Sequence, residues 1–233
     1  SFLYDMFNIS TFLLLPILAM VGAFLITMLI YRLSKVNSKT NIMAMLLSGI
    51  AVNAFSGAII GILVSISSDS QLRSFTFWTL GGLDRGTWNI VIILYLVILT
   101  TYSIIFLLRE KLDIFMLGDA EAYHLGINVE NLKKIIILIS SLMVGVTVSF
   151  CGMIGFIGLV TPHLIRLLIG PNHKFLIPGS ALLGSIILVI ADLISKSVIA
   201  PAQLPVGVVT SSIGAPIFMW LIYNQRQRIG YSE

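Results

Sequence analysis

The side chains best suited to chemistry are gathered in the stretch Gly152-Met153-Ile154-Gly155-Phe156-Ile157-Gly158-Leu159-Val160-Thr161-Pro162-His163-Leu164-Ile165-Arg166. His163 and Arg166 stand one helical turn apart, and both can face the same leaflet of a membrane. Glycines at 152, 155 and 158 form a small-residue stripe that lets a neighbouring helix approach closely. An imidazole so placed could shuttle a proton or bind a metal, yet no catalytic triad, HExxH, Walker A loop or Cys/His constellation accompanies it. His163 is therefore expected to pack or to hydrogen-bond between helices, and no catalytic or metal-binding residue is assigned. Asp192 and Lys196, four residues apart, are placed to form an ion pair near a helix end. Cys151 is the single cysteine, which excludes an internal disulfide and leaves it a small packing residue.

The elements that carry these residues follow from composition. Of 233 residues, 58% are hydrophobic and 10% charged, and the mean hydropathy is +1.03. An ordinary soluble domain has roughly 45–50% apolar and about 25% charged residues, so a water-soluble globule and a disordered chain are both excluded. The uncharged runs are long enough for helices and do not alternate as barrel strands must. Run Ile135–Ile165 is too long for one span and carries a Gly/Pro cluster, so it is split in two. The result is an all-α, polytopic transmembrane bundle with spans near 11–33, 41–66, 87–108, 134–152, 156–169, 176–196 and 208–224, forming one domain over 1–233. Ser1–Asp5 lacks a basic region, so no cleavable signal is expected.

Orientation follows from the 14 basic residues. Alternating spans put Arg32, Lys35, Lys39, Arg109, Lys111, Lys133, Lys134, Arg166, Lys174, Arg226 and Arg228 on one side, and only Arg73, Arg85 and Lys196 on the other. The positive-inside rule then predicts an external N-terminus and a cytoplasmic C-terminus. The net charge of +4 is spread over short helix flanks that meet membrane lipid, without the basic stripe that nucleic acid requires.

Three segments exceed what a membrane span needs. The cytoplasmic stretch 109–133 contains Leu117-Gly118-Asp119-Ala120-Glu121-Ala122-Tyr123-His124-Leu125-Gly126. Asp119 suits an N-cap and Gly126 a helix stop, with a second helix starting near Asn128 or Glu130, so two short helices would form a compact knob. Outside, Ser74 to Gly82 is rich in aromatics and leads to Asp84 and Arg85. It reads as an interfacial belt or as a segment dipping back into the bundle. Ala200 to Thr210, broken by Pro201, Pro205 and Gly207, reads as a short outer helix or turn before a helix starting at about 205–208.

Gly155 to Arg166, Pro178 to Gly184, Ala191-Asp192, Leu204 to Thr210 and Gly214-Ala215-Pro216 together resemble the signature run of the FecCD-type permeases, the membrane subunits of ABC importers for iron-siderophore, haem and cobalamin. Trp78 to Gly82 and Leu117 to Gly126 fall in the matching order. The chain resembles the last seven of that family's ten helices, which implies a fragment or a truncated product lacking the first three. The resemblance implies a non-enzymatic transport subunit of a bacterial inner membrane that binds no cofactor itself, with ATP and magnesium on a partner ATPase.

It also implies sites. Gly118, Asp119, Ala120, Glu121, Ala122 and Gly126 would couple to the ATPase. The family's docking pattern starts with a glutamate where this chain has Ala120. Asn53, Ser56, Gly57 and Gly61 would border the translocation path at the interface of two permease copies. Arg73 and Arg85 would meet acidic groups of an extracytoplasmic substrate-binding protein. The implied partners are a second copy, an ATPase dimer and that binding protein. The implied cargo is haem or an iron-siderophore, moved by alternating access. The alternatives are a secondary transporter, which would need a mid-membrane carboxylate or histidine, and a truncated membrane subunit that does not transport.

Overall fold

The computed structural model describes residues 11–36, 39–84, 86–199 and 202–230. Among the described residues, ten helices and one two-residue β-ladder run α1 Thr11–Leu33, β1 Lys35–Val36, β2 Lys39–Thr40, α2 Ile42–Ser65, α3 Asp69–Thr79, α4 Trp88–Leu107, α5 Arg109–Phe115, α6 Asp119–His124, α7 Val129–Cys151, α8 Ile157–Ile169, α9 His173–Ser197 and α10 Val206–Gly230. The chain divides into two compact units, Ser1–Phe75 with Gly86–Phe150, and Thr76–Arg85 with Cys151–Glu233.

Seven of the ten helices correspond to the expected spans. Four are long and apolar enough to cross a membrane, and Ile17–Leu33, Ile157–Ile169 and Val206–Leu221 are shorter apolar segments. Their outward faces are what lipid requires. On α9, Leu182, Ile186, Val189 and Leu193 repeat at helical spacing and are 56–68% exposed. So continuous an apolar stripe is incompatible with water. Polar side chains on the spans turn inward on their own backbone: the hydroxyls of Ser103, Thr147, Ser185 and Ser212 donate to the carbonyls of Leu99, Met143, Ala181 and Val208 at 2.7–2.8 Å. This satisfies them without a partner outside the helix.

In the first unit, α1 ends at Leu33 and the antiparallel β1–β2 pair precedes α2. Lys35 pairs with Thr40 and Val36 with Lys39, Ser34 Oγ donates to Tyr31 O at 2.8 Å, and Asn41 N donates to Ser34 O at 3.0 Å. Asn41 then caps α2, its Oδ1 accepting from Ala44 N at 3.1 Å. Gly145 on α7 lies against α1, where an added Cβ would meet Ala23 Cβ at 3.2 Å. Ser141 Oγ donates to Thr27 Oγ1 at 3.1 Å along the same contact.

In the second unit, α8 packs on α9. The small residues that admit this contact are not those of the expected stripe. Around Gly158 there is open space, whereas a Cβ at Gly179 would meet Ile165 at 3.0 Å and one at Gly184 would meet Ile157 at 3.4 Å. Only one partner in a helix pair needs to be small, and here it is α9. The expected Asp192–Lys196 pair forms, at 2.5 Å. Ser195 anchors the following loop by donating from Oγ to Leu204 O at 2.5 Å and accepting from Leu204 N at 3.1 Å.

Candidate functional site

The polar stretch after α4 folds as a knob. Its two short helices are α5 and α6, whereas the expected second helix near Asn128 is the first part of the span: α7 runs unbroken from Val129 to Cys151. Asn128 Oδ1 accepts from Asn131 N at 3.1 Å, so the cap lies there. Ala122, Ile127, Val129 and Leu132 are buried together, with Leu108, Ile114, Phe115 and Ile136 packed around them. Ala122 is fully buried, so among the expected coupling residues it packs the knob from within. Asp119, Ala120, Glu121 and Gly126 are exposed, as are Tyr123 and His124. An open cleft of about 980 Å³ runs beside Asp119, Tyr123, His124 and Gly126.

α6 ends as its sequence foretold. Gly126 adopts φ +83 and donates to Tyr123 O at 3.0 Å, while Ile127 N donates to Ala122 O at 3.0 Å. This pair of bonds is the Schellman closure, which needs a residue able to take a left-handed conformation. The expected N-cap is different: Gly118 occupies that position with no side-chain cap. Asp119 is the first helical residue, and its Oδ2 lies 2.6 Å from Lys133 Nζ. An ammonium one element away attracts the carboxylate more strongly than a local amide does.

Sequence reasoning missed three residues next to the knob. Glu130 accepts from Thr40 N at 3.0 Å through Oε1 and from Thr40 Oγ1 at 2.8 Å through Oε2. Lys133 Nζ also donates to Thr40 O at 3.4 Å and lies 5.7 Å from the Phe115 ring centroid. In the sequence, Lys133 is legible only as a basic residue flanking a span. The available signal was that Glu130 and Lys133 lie three apart at a helix start, so both can face one neighbour.

The second constellation is a junction of three glycines drawn from three separate motifs. Gly152 has φ +71, and an added Cβ would lie 2.1 Å from Trp78 O. A Cβ on Gly207 would lie 2.1 Å from Leu80 O, and one on Gly81 would lie 2.6 Å from Met153 O. Main-chain bonds stitch the junction: Gly82 N to Cys151 O at 2.9 Å, Gly207 N to Leu80 O at 3.1 Å and Gly81 N to Trp78 O at 3.2 Å. Irregular backbone in a helical membrane protein is stable only where its polar groups find such partners. Ala191, Val206 and Val209 form a buried seat on one flank. Of the two outer readings, α3 forms a helix through Trp78-Thr79 and its end enters this junction.

The remaining expected site residues are spread along open faces. On α2, Asn53, Gly57 and Gly61 are exposed and Ser56 is half-buried. α2 has no buried residue among those described, and a Cβ on Gly57 or Gly61 would meet nothing within 4 Å. Arg73 is exposed on α3, and Arg85 lies outside the described residues. His163 is half-buried on α8. Among the described residues no group of three or more His, Cys, Asp or Glu is placed to hold a metal.

A helical membrane bundle carrying a packed polar knob is the build of an ABC permease subunit. A solved inward-facing ABC transporter assigned to the metal-chelate type superposes with a TM-score of 0.78 at 29% identity, covering 88% of this chain and 64% of that one. The FecCD transport family matches residues 2–224, and the chain belongs to that family. It is 42% identical over 228 residues to the hemin transport system permease protein HmuU of Yersinia pestis, covering 94% of this chain and 68% of HmuU. It is 32% identical over 210 residues to the cobalamin import system permease protein BtuC of Halobacterium salinarum, covering 90% of this chain and 56% of BtuC. The chain thus spans roughly two thirds or less of these relatives' length. Such permeases are non-enzymatic subunits, and ATP hydrolysis belongs to a separate chain.

Proposed function

We propose that this chain forms the membrane pathway of an ATP-driven importer that carries haem, or a closely related iron chelate, into the cytoplasm of a bacterium. The observation that carries the reading is the 42% identity to a hemin permease over 94% of the chain, supported by the likeness to a metal-chelate type transporter. In this reading Gly118, Asp119, Ala120, Glu121 and Gly126 present the knob to a cytoplasmic ATPase dimer, with Ala122 holding it rigid. The open face of α2 with Asn53, Ser56, Gly57 and Gly61 borders the path against a second copy. Arg73 receives a substrate-binding protein outside, and the path opens alternately to the two sides. The C-terminus is cytoplasmic.

Reconstitution with the ATPase and binding protein of the same system is expected to give ATP-dependent haem uptake. Preference for a ferric siderophore or cobalamin would overturn the cargo, and absence of any ATP-driven uptake would overturn the import reading. In a Cys151→Ser background, Ala120→Cys is expected to react with an impermeant thiol reagent only from the cytoplasmic side, and Ser70→Cys only from outside. The reverse pattern would invert the topology.

A further inference from the structure

The hairpin between α1 and α2 is fastened to the knob by hydrogen bonds at one residue. Thr40 donates from N and Oγ1 to the two oxygens of Glu130, at 3.0 and 2.8 Å. Its carbonyl accepts from Lys133 at 3.4 Å, and that ammonium also holds Asp119 at 2.6 Å. Thr40 and Lys133 are 6% and 7% exposed, whereas the Asp119 side chain is 60% exposed. One end of the chain of contacts therefore lies where a docked protein can press on it, and the other lies beneath the surface. We propose that this fastening is the linkage by which movement of the knob reaches α2, with Thr40, Glu130 and Lys133 as its positioning residues. The inference rests on the reading of the knob as the ATPase-docking element and of α2 as a wall of the path.

The local geometry leaves little slack to absorb such a movement. Thr40 directly precedes Asn41, the residue that caps α2. Asn41 is itself bonded to Ser34 at 3.0 Å, and Ser34 is fully buried. A displacement at Thr40 is therefore passed to the first turn of α2 as a rigid-body shift. α2 has no buried residue among those described, so the packing described within the chain resists that shift weakly. Asn53 lies about 17 Å further along the same helix, at 1.5 Å per residue. Both carboxylates and the ammonium are needed: Glu130 grips the hairpin, while Lys133 joins that grip to Asp119 on α6.

The test measures ATP-driven haem uptake and ATP hydrolysis together on the permease assembled with its ATPase in proteoliposomes, with the binding protein of the same system supplied. Thr40→Val removes the hydroxyl donor at nearly constant volume, Glu130→Ala removes both acceptors, and Thr40→Ser keeps the hydroxyl. Uptake per ATP hydrolysed is expected to fall at least about fivefold in Thr40→Val and Glu130→Ala, the scale of an ordinary inter-site coupling. Hydrolysis should persist, and Thr40→Ser should behave as the unaltered protein. Unchanged uptake per ATP in both variants would overturn the linkage. So would a parallel fall of uptake and hydrolysis together with folded yield, since that is the signature of a merely structural contact. Absence of ATP-driven uptake in the unaltered protein would overturn the import reading, and the linkage with it.

Discussion

Gly152→Ala is expected to destabilise the extracted protein severely, by about 3 kcal/mol, combining the cost of a left-handed non-glycine residue with that of overpacking. The added Cβ would lie 2.1 Å from the carbonyl of Trp78, at a φ of +71, and that carbonyl already accepts from Gly81 N. Neither side can retreat, because both are main chain. Gly158→Ala is the matched control. Its Cβ would meet nothing within 4 Å, and alanine is favoured over glycine within a helix by about 1 kcal/mol. Thermal unfolding followed by size-exclusion chromatography in detergent should separate the two variants widely. Equal melting temperatures would sink the junction as described.

Gly126→Pro is expected to impair coupled transport strongly while leaving the membrane bundle folded. Proline locks φ near −65° and lacks the amide, whereas Gly126 uses φ +83 and donates to Tyr123 O. The closure of α6 must then be rebuilt, and with it the approach of Ile127 to Ala122. Uptake should fall by about tenfold or more, equivalent to about 1.4 kcal/mol of lost coupling, with hydrolysis by the ATPase continuing. Glu121→Lys, which reverses a charge on the exposed face of α6, should weaken co-purification of the ATPase without altering the melting temperature. Normal transport in both variants would remove the knob from the coupling pathway.

The spans were legible because each is a long uncharged run, and a run of that kind in lipid has one good solution. The break in Ile135–Ile165 was legible for a related reason: Gly152 and Gly155 interrupt a length that no single span requires. Details that depend on distant partners were not. Asp119 carries the ordinary local signal of an N-cap, and only the fold brings Lys133 within 2.6 Å to claim it. The glycines at 152, 155 and 158 look equivalent along the chain. Only Gly152 meets backbone closely, while Gly158 faces open space, because helix proximity is decided by both partners. Thr40 gave no signal at all, since a threonine before a helix is unremarkable until Glu130, 90 residues away, arrives to bind it.

The glycine junction is made almost wholly of main-chain atoms: its stitches join Gly82 to Cys151, Gly207 to Leu80 and Gly81 to Trp78 through amides and carbonyls. A joint of that kind is blind to the identity of the side chains around it. Side chains at neighbouring positions are thus free to change in size or polarity while the backbone joint stays as it is. The glycines themselves have no such latitude, since a single methyl at Gly152 or Gly207 collides with a carbonyl. The side chains around the joint can in this way be exchanged many times over, provided that these few positions remain bare.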